Sequence, residues 1–69
     1  MERVDARGLS CPEPVILTRK ALQKGGKEYE VLVDNVTSRE NVTRFAEHAG
    51  YSVAVTEKDG EYTLLLKKK

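Results

Sequence analysis

Tyr29-Glu30-Val31-Leu32-Val33-Asp34 is a nearly continuous apolar run rich in β-branched residues. Such a run reads as a strand, and one this apolar reads as a central strand covered by other elements. The segment before it, residues 12–24, reads as a helix. Pro12 suits the first helical position, where its missing N–H would be unpaired in any case, and Pro14 still falls within the first turn. Val15, Thr18, Ala21 and Leu22 share one face at helical spacing, and Gly25-Gly26 supply the stop. Ile16 falls on the far side with Glu13 and Lys20, while Leu17 sits at the margin of the stripe. Further out, Arg3-Val4-Asp5-Ala6 alternates apolar and polar residues as a short strand does, and Arg7-Gly8-Leu9-Ser10 reads as a turn in which Gly8 gives the backbone its freedom.

After the central run, Ser38 looks like a helix N-cap. Val42, Phe45, Ala46 and Ala49 follow at i, i+3, i+4 and i+7, and Gly50 stops this second helix. Residues 51–57 and 61–67 read as strands joined through Lys58-Asp59-Gly60, where Asp-Gly is a hairpin signal. The order is strand, helix, strand, helix, strand, strand, with no repeat, linker or low-complexity segment. Right-handed crossovers put both helices on the same side of one sheet. The expectation is one α/β (α+β) domain over residues 1–69, a two-layer sandwich whose other sheet face stays partly open.

The chain has 69 residues, and a domain of this size buries only about 60% of the surface its unfolded chain exposes. It has little room for a deep pocket, so chemistry is expected near the surface or completed by a partner. Lys and Arg number 12 and Asp and Glu 11, a net charge of +1, whereas a dedicated nucleic-acid binder usually shows a clearly basic domain. With 39% hydrophobic and 33% charged residues, the composition suits a folded domain rather than disorder. No apolar run is long enough to span a membrane, and Met1-Glu2-Arg3-Val4-Asp5 has no signal-peptide core, which together suggest a cytoplasmic protein.

The one cysteine, Cys11, cannot make an internal disulfide, and with the one histidine, His48, it cannot supply the four ligands of a structural zinc site. Cys11 directly precedes Pro12, at or beside the expected N-cap. There the helix macrodipole and unpaired amides favour an anion, and a thiol can have its pKa lowered into the range of roughly 3.5 to 7.5. The nearest helix-start donors are the N–H groups of Glu13 and Val15, since neither proline has one. The Glu13 carboxylate repels a thiolate, and Arg7 or Arg19 could offset it. His48 is expected at the far end of the second helix, away from Cys11, as a capping or solvated residue, which argues against a cysteine protease. A thiol that accepts a sulfur atom and hands it on needs no general base. The plain alternative is that Cys11 is a small buried hydrophobe.

Val4-Asp5-Ala6-Arg7-Gly8-Leu9-Ser10-Cys11-Pro12-Glu13-Pro14-Val15 resembles the signature of the TusA/SirA/YedF family of sulfur carrier proteins. The matching residues are Asp5, Gly8-Leu9, Cys11-Pro12, Pro14 and Val15, then Thr18-Arg19-Lys20-Ala21-Leu22, with Val31-Leu32-Val33-Asp34 and residues 41–50 extending the likeness. The segment Asn35-Val36-Thr37-Ser38-Arg39-Glu40-Asn41 is more similar to the YedF branch, in which a second domain often follows. The resemblance implies a mixed sheet of order 1-2-4-3 with strand 4 antiparallel to the rest. It also implies a sulfurtransferase role as a carrier: Cys11 takes a persulfide sulfur from a cysteine desulfurase or rhodanese and relays it to an acceptor protein thiol, with no resident cofactor. Tuning to sulfur oxidation, tRNA thiolation or selenium metabolism is left open by the residues.

Gly8, Pro12, Glu13 and Pro14 are expected to shape the presentation of the thiol, and Leu9, Ile16, Arg7 and Arg19 to line a docking surface for the donor and acceptor proteins. For Asp5 the alternatives are a solvated strand residue and a loop cap. The chain is expected to be a monomer. A rival reading is a small RNA- or protein-binding module with an incidental Cys11. The sandwich resembles the C-terminal domain of translation initiation factor 3, and Lys67-Lys68-Lys69 could be a weak anchor for RNA or an acidic partner. Against it stand the near-neutral charge and the absence of an aromatic stacking row, with one Phe and no Trp.

Overall fold

The computed structural model describes residues 2–9 and 13–69 of the chain. Six elements follow one another: β1 (Glu2–Asp5), α1 (Glu13–Leu22), β2 (Glu28–Val33), α2 (Val36–His48), β3 (Tyr51–Lys58) and β4 (Glu61–Lys68). The strands form one mixed sheet of order β1-β2-β4-β3, with β1 parallel to β2 and β4 antiparallel to both of its neighbours. The expected element order, sheet order and two-layer α+β sandwich are all present.

The run at residues 29–33 is central, as its composition requires, but its two faces differ. Tyr29, Val31 and Val33 are buried, whereas Glu30 and Leu32 are half-buried. Strand alternation directs the first set under the helices and the second to the open face. Leu64 and Leu66 of β4 continue the buried set, opposite Val31 and Tyr29. Val42 and Ala46 of α2 and Thr18 and Ala21 of α1 close the layer above them. Each fully buried Val or Leu side chain contributes about 1.5–3 kcal/mol. On the open face Arg3 and Glu30 pair at 2.8 Å across β1 and β2.

Several details differ from the sequence reading, beyond strand ends that shift by one residue. The last regular residue of α1 is Leu22, and Gln23 and Lys24 continue as a turn that ends at Gly25 with φ +78°. Pro14 rather than Val15 is the buried residue of the first turn, and Val15 is half-buried. The N-cap of α2 is Asn35, not Ser38: the Asn35 side chain accepts from the Ser38 N–H at 2.7 Å. Ser38 is therefore the third helical residue and lies buried at the head of the Ser38-Val42-Ala46 stripe. Ala49 is the exposed C-cap rather than a core residue, because the helix ends at His48 and Ala49 stands past its last turn. The hairpin of β3 and β4 turns on Asp59 and Gly60, with φ of +54° and +78°, the left-handed pair that a two-residue type I′ turn demands. Among the described residues no helix is long and apolar enough to cross a membrane.

Candidate functional site

Both helical crossovers leave the sheet at the same end, where β1 and β2 finish. β1 continues one bond further through the Ala6 N–H, which donates to the Leu32 carbonyl at 2.8 Å. The chain then turns at Gly8, whose φ of +76° is a left-handed conformation that glycine adopts without strain. The Gly8 N–H donates to Asp34 Oδ2 at 2.8 Å, so the residue just after β2 holds the loop that follows β1. Leu9, half-buried, packs against the core from this loop. Cys11 and Pro12, expected at the start of the first helix, lie outside the described residues, as does Ser10 of the expected turn.

A carboxylate clamp precedes the turn. Asp5 accepts from Arg7 three times: from the backbone N–H at 3.1 Å, from Nε at 2.9 Å, and at its second oxygen from Nη2 at 2.9 Å. Arg7 Nη1 reaches across to Glu61, the first residue of β4, at 3.3 Å. Asp5 is thus both an exposed strand residue, the last of β1, and a cap for the loop that follows. The bidentate Arg7 hydrogen bonds, and then the backbone one, lower its carboxyl pKa from 3.8 to about 2. The side-chain hydrogen bonds to Asp5, and then to Glu61, raise the Arg7 guanidinium pKa further above its ordinary value. Arg7 is held against two carboxylates and faces the Asp5 and Glu61 side of the loop.

On the other flank of residues 10–12, α1 opens with exposed Glu13 and buried Pro14. The Pro14 carbonyl accepts from the buried Thr18 hydroxyl at 2.9 Å, which anchors this first turn to the core. Ile16 is 40% exposed, as its place off the helix stripe predicts, and Arg19 is exposed as well. Val36, the first residue of α2 at the same end of the sheet, is 47% exposed. Asp34, Glu61 and Val36 are not among the site residues expected from the sequence. The first two act through partners 26 and 54 residues away, a relation that no local pattern carries. His48 closes α2 at the opposite end of the sheet, beside Gly50, whose carbonyl accepts from the Lys69 N–H.

The family model described as Sulfurtransferase TusA matches residues 2–68. The chain belongs to this family. As a TusA-family chain it has close relatives of nearly its own length. It is 39% identical over 71 residues to a protein of Methanocaldococcus jannaschii named as a candidate sulfur carrier, covering 99% of this chain and 95% of that one. A candidate sulfur carrier protein of Archaeoglobus fulgidus is 32% identical over 71 residues, covering 97% and 92%. The crystal structure of a SirA-like protein from Desulfitobacterium hafniense superposes with a TM-score of 0.90 at 41% identity, over 97% of this chain and 96% of that one.

Proposed function

We propose that this TusA-family protein is a sulfur carrier in which Cys11 accepts a sulfur atom as a persulfide and passes it to a second protein thiol. The observation that carries the reading is the family match across residues 2–68 in a chain whose only cysteine is Cys11. The Cys11 thiolate attacks the outer sulfur of a donor persulfide. The donor S–S bond breaks, the donor leaves as a thiolate, and a Cys11 persulfide forms. An acceptor thiolate then attacks the outer sulfur of Cys11 and releases the Cys11 thiolate, with no net oxidation. A cysteine desulfurase or a rhodanese is a donor of the right chemistry.

The roles follow from this step. Gly8, Pro12, Glu13 and Pro14 shape the presentation of the sulfur. Leu9, Ile16, Arg7 and Arg19 form the surroundings that a donor or acceptor protein meets. The exposed Ile16 supports an apolar contact there, since docking proteins favour apolar patches rimmed by charge. The working compartment is the cytoplasm, where a lone thiol stays reduced.

Incubation with a cysteine desulfurase and cysteine, followed by intact-mass analysis, tests the proposal. The expected result is an adduct of one sulfur atom that a reductant removes and that Cys11→Ser abolishes. Absence of the adduct under conditions that load an established carrier sinks it.

A further inference from the structure

We infer that the free edge of β3 is a self-association surface, on which a second copy of this chain pairs antiparallel about a two-fold axis at Ala54. This differs from the monomer expected from the sequence and does not depend on the sulfur-carrier reading.

The two edges of the sheet are built differently. β1 is four residues long, and its Glu2, Arg3 and Asp5 are engaged with Lys24, Glu30 and Arg7. Short, charged strands are how native proteins blunt an edge. β3 runs for eight residues and, among the described residues, pairs with β4 alone. Its residues Tyr51-Ser52-Val53-Ala54-Val55-Thr56 contain no charge and no proline. Its register with β4 continues without a bulge from Tyr51 opposite Lys68 to Lys58 opposite Glu61. Ser52, Ala54, Val55 and Thr56 are exposed, Val55 at 44%.

The ladder fixes which backbone groups are free. A two-residue hairpin makes its flanking residues, here Lys58 and Glu61, a hydrogen-bonded pair, and the pairs alternate from there. Thr56, Ala54 and Ser52 then bond to β4, while Glu57, Val55, Val53 and Tyr51 turn their N–H and C=O groups outward. Two observed bonds at the other end agree with this alternation: the Lys69 N–H donates to Gly50, and the Lys68 N–H turns the other way to Lys27. Residues opposite one another share a face, so only registers that pair odd positions with odd positions keep both helical layers on one side. Centring on Ala54 sets Val53 opposite Val55 of the copy and Tyr51 opposite Glu57. In that register every outward group of these four residues meets its complement.

The helix beside the edge suits the same occupant. Arg39, Glu40, Thr43, Arg44 and Glu47 of α2, with Val55, line a groove of about 380 Å³. It carries two cations and two anions, so it matches neither a polyanion nor a polycation. Arg39 already lies 3.7 Å from Glu40 and 5.0 Å above the Tyr62 ring, and a two-fold brings this face, with charges of both signs, beside its own copy.

Sedimentation velocity from about 10 µM to about 1 mM covers the range in which so small a contact dissociates. A dimer that grows with concentration is expected. Over the same range hydrogen exchange should slow at the Val53 and Val55 amides, while the Ala54 amide, already bonded to β4, stays unchanged. Val55→Pro removes one outward N–H and spares the β4 ladder, a position where an edge strand tolerates proline. Val55→Lys places a charge opposite Val53 of the copy and serves if the proline variant fails to fold. Each folded variant should be monomeric throughout. A wild-type monomer at the highest concentration overturns the inference. So does a dimer that persists in Val55→Lys, or edge protection that appears only with a different protein.

Discussion

The Gly26 N–H donates to the Tyr29 hydroxyl at 2.6 Å, and the Gly26 carbonyl accepts from the Tyr51 hydroxyl at 2.8 Å. Both polar groups of the residue that links α1 to β2 are thus taken by core tyrosines, whose rings meet edge to face with centroids 6.0 Å apart. This pair pins the end of the sandwich opposite Asp34, where the chain would otherwise leave a part-buried peptide unpaired.

That geometry makes Gly26 intolerant of a side chain for a steric reason. A Cβ at Gly26 would stand 2.7 Å from the Tyr29 hydroxyl oxygen, and Tyr29 is too deeply buried to step aside. Overpacking of this kind costs about 1–3 kcal/mol, against about 0.4–1 kcal/mol gained by restricting the unfolded chain. Gly26→Ala is expected to destabilise the fold by about 1 kcal/mol or more in chemical denaturation. In a Tyr29→Phe background the penalty should shrink, and a double-mutant cycle that shows no coupling would refute the clash.

Tyr51 should resist ionisation. Burial, and secondarily its neighbour Tyr29, raise its pKa above the ordinary 10.0. A folded pKa above the unfolded one means that the contribution to stability is complete below pH 10 and is lost as pH rises through the folded value. Absorbance titration of the phenolate band should show a late-titrating tyrosine that Tyr51→Phe removes. Titration of all three tyrosines near pH 10 in the folded protein would contradict this.

Asn35 and Ser38 should respond in opposite directions. Asn35→Ala removes the side-chain acceptor that caps α2 and should cost about 1 kcal/mol. The buried Ser38 hydroxyl has no hydrogen-bond partner among the described residues. Ser38→Ala removes an unsatisfied group and adds helix propensity, so it should leave stability unchanged or raise it by up to about 1 kcal/mol. Thermal denaturation of the two variants separates an Asn35 cap from a Ser38 cap.

Acid should find Asp5 late. Its pKa near 2 lies below the ordinary 3.8 because Arg7 donates to both of its oxygens. A depressed carboxyl pKa gives stability that is complete above the unfolded value and lost as pH falls from about 4 toward about 2. A carboxyl carbon NMR titration should place the Asp5 midpoint near 2, and Arg7→Ala should return it toward 3.8.

The sequence carried the element order and the sheet because period-2 and period-3.6 patterns are local, and the crossover hand then leaves few topologies. Val31 and Leu64 announce themselves as core. Ile16 announces itself as exposed by falling off its helix stripe. The start of α2 falls at Asn35 and not Ser38 because both are good caps, and the choice depends on which side chain the third dimension buries. Around the candidate site, the turn at Gly8 was legible from local pattern, whereas the contacts made by Asp34 and Glu61 were not. A carboxylate looks like any solvated residue until a sheet brings it beside a loop from a distant part of the chain. Nor does any local signal mark β3 as the unblunted edge, since edge position is a property of strand order.

Asp34 is the test of whether the loop after β1 is held from outside itself. Its Oδ2 takes the Gly8 N–H at 2.8 Å, while its Oδ1 lies 3.3 Å from the Asn35 side-chain amide. The site is exposed, so water replaces part of what is lost and the cost of Asp34→Ala should stay near 1 kcal/mol. The informative readout is local. Gly8 amide exchange should quicken in Asp34→Ala by more than the global loss of stability explains. Asp34→Asn keeps an oxygen acceptor of the same reach and should restore most of the protection. If alanine and asparagine quicken the exchange equally, the carboxylate acts through its charge and not as a hydrogen-bond acceptor for Gly8. If neither changes the exchange, the loop is held by Leu9 packing and the Asp5–Arg7 clamp alone.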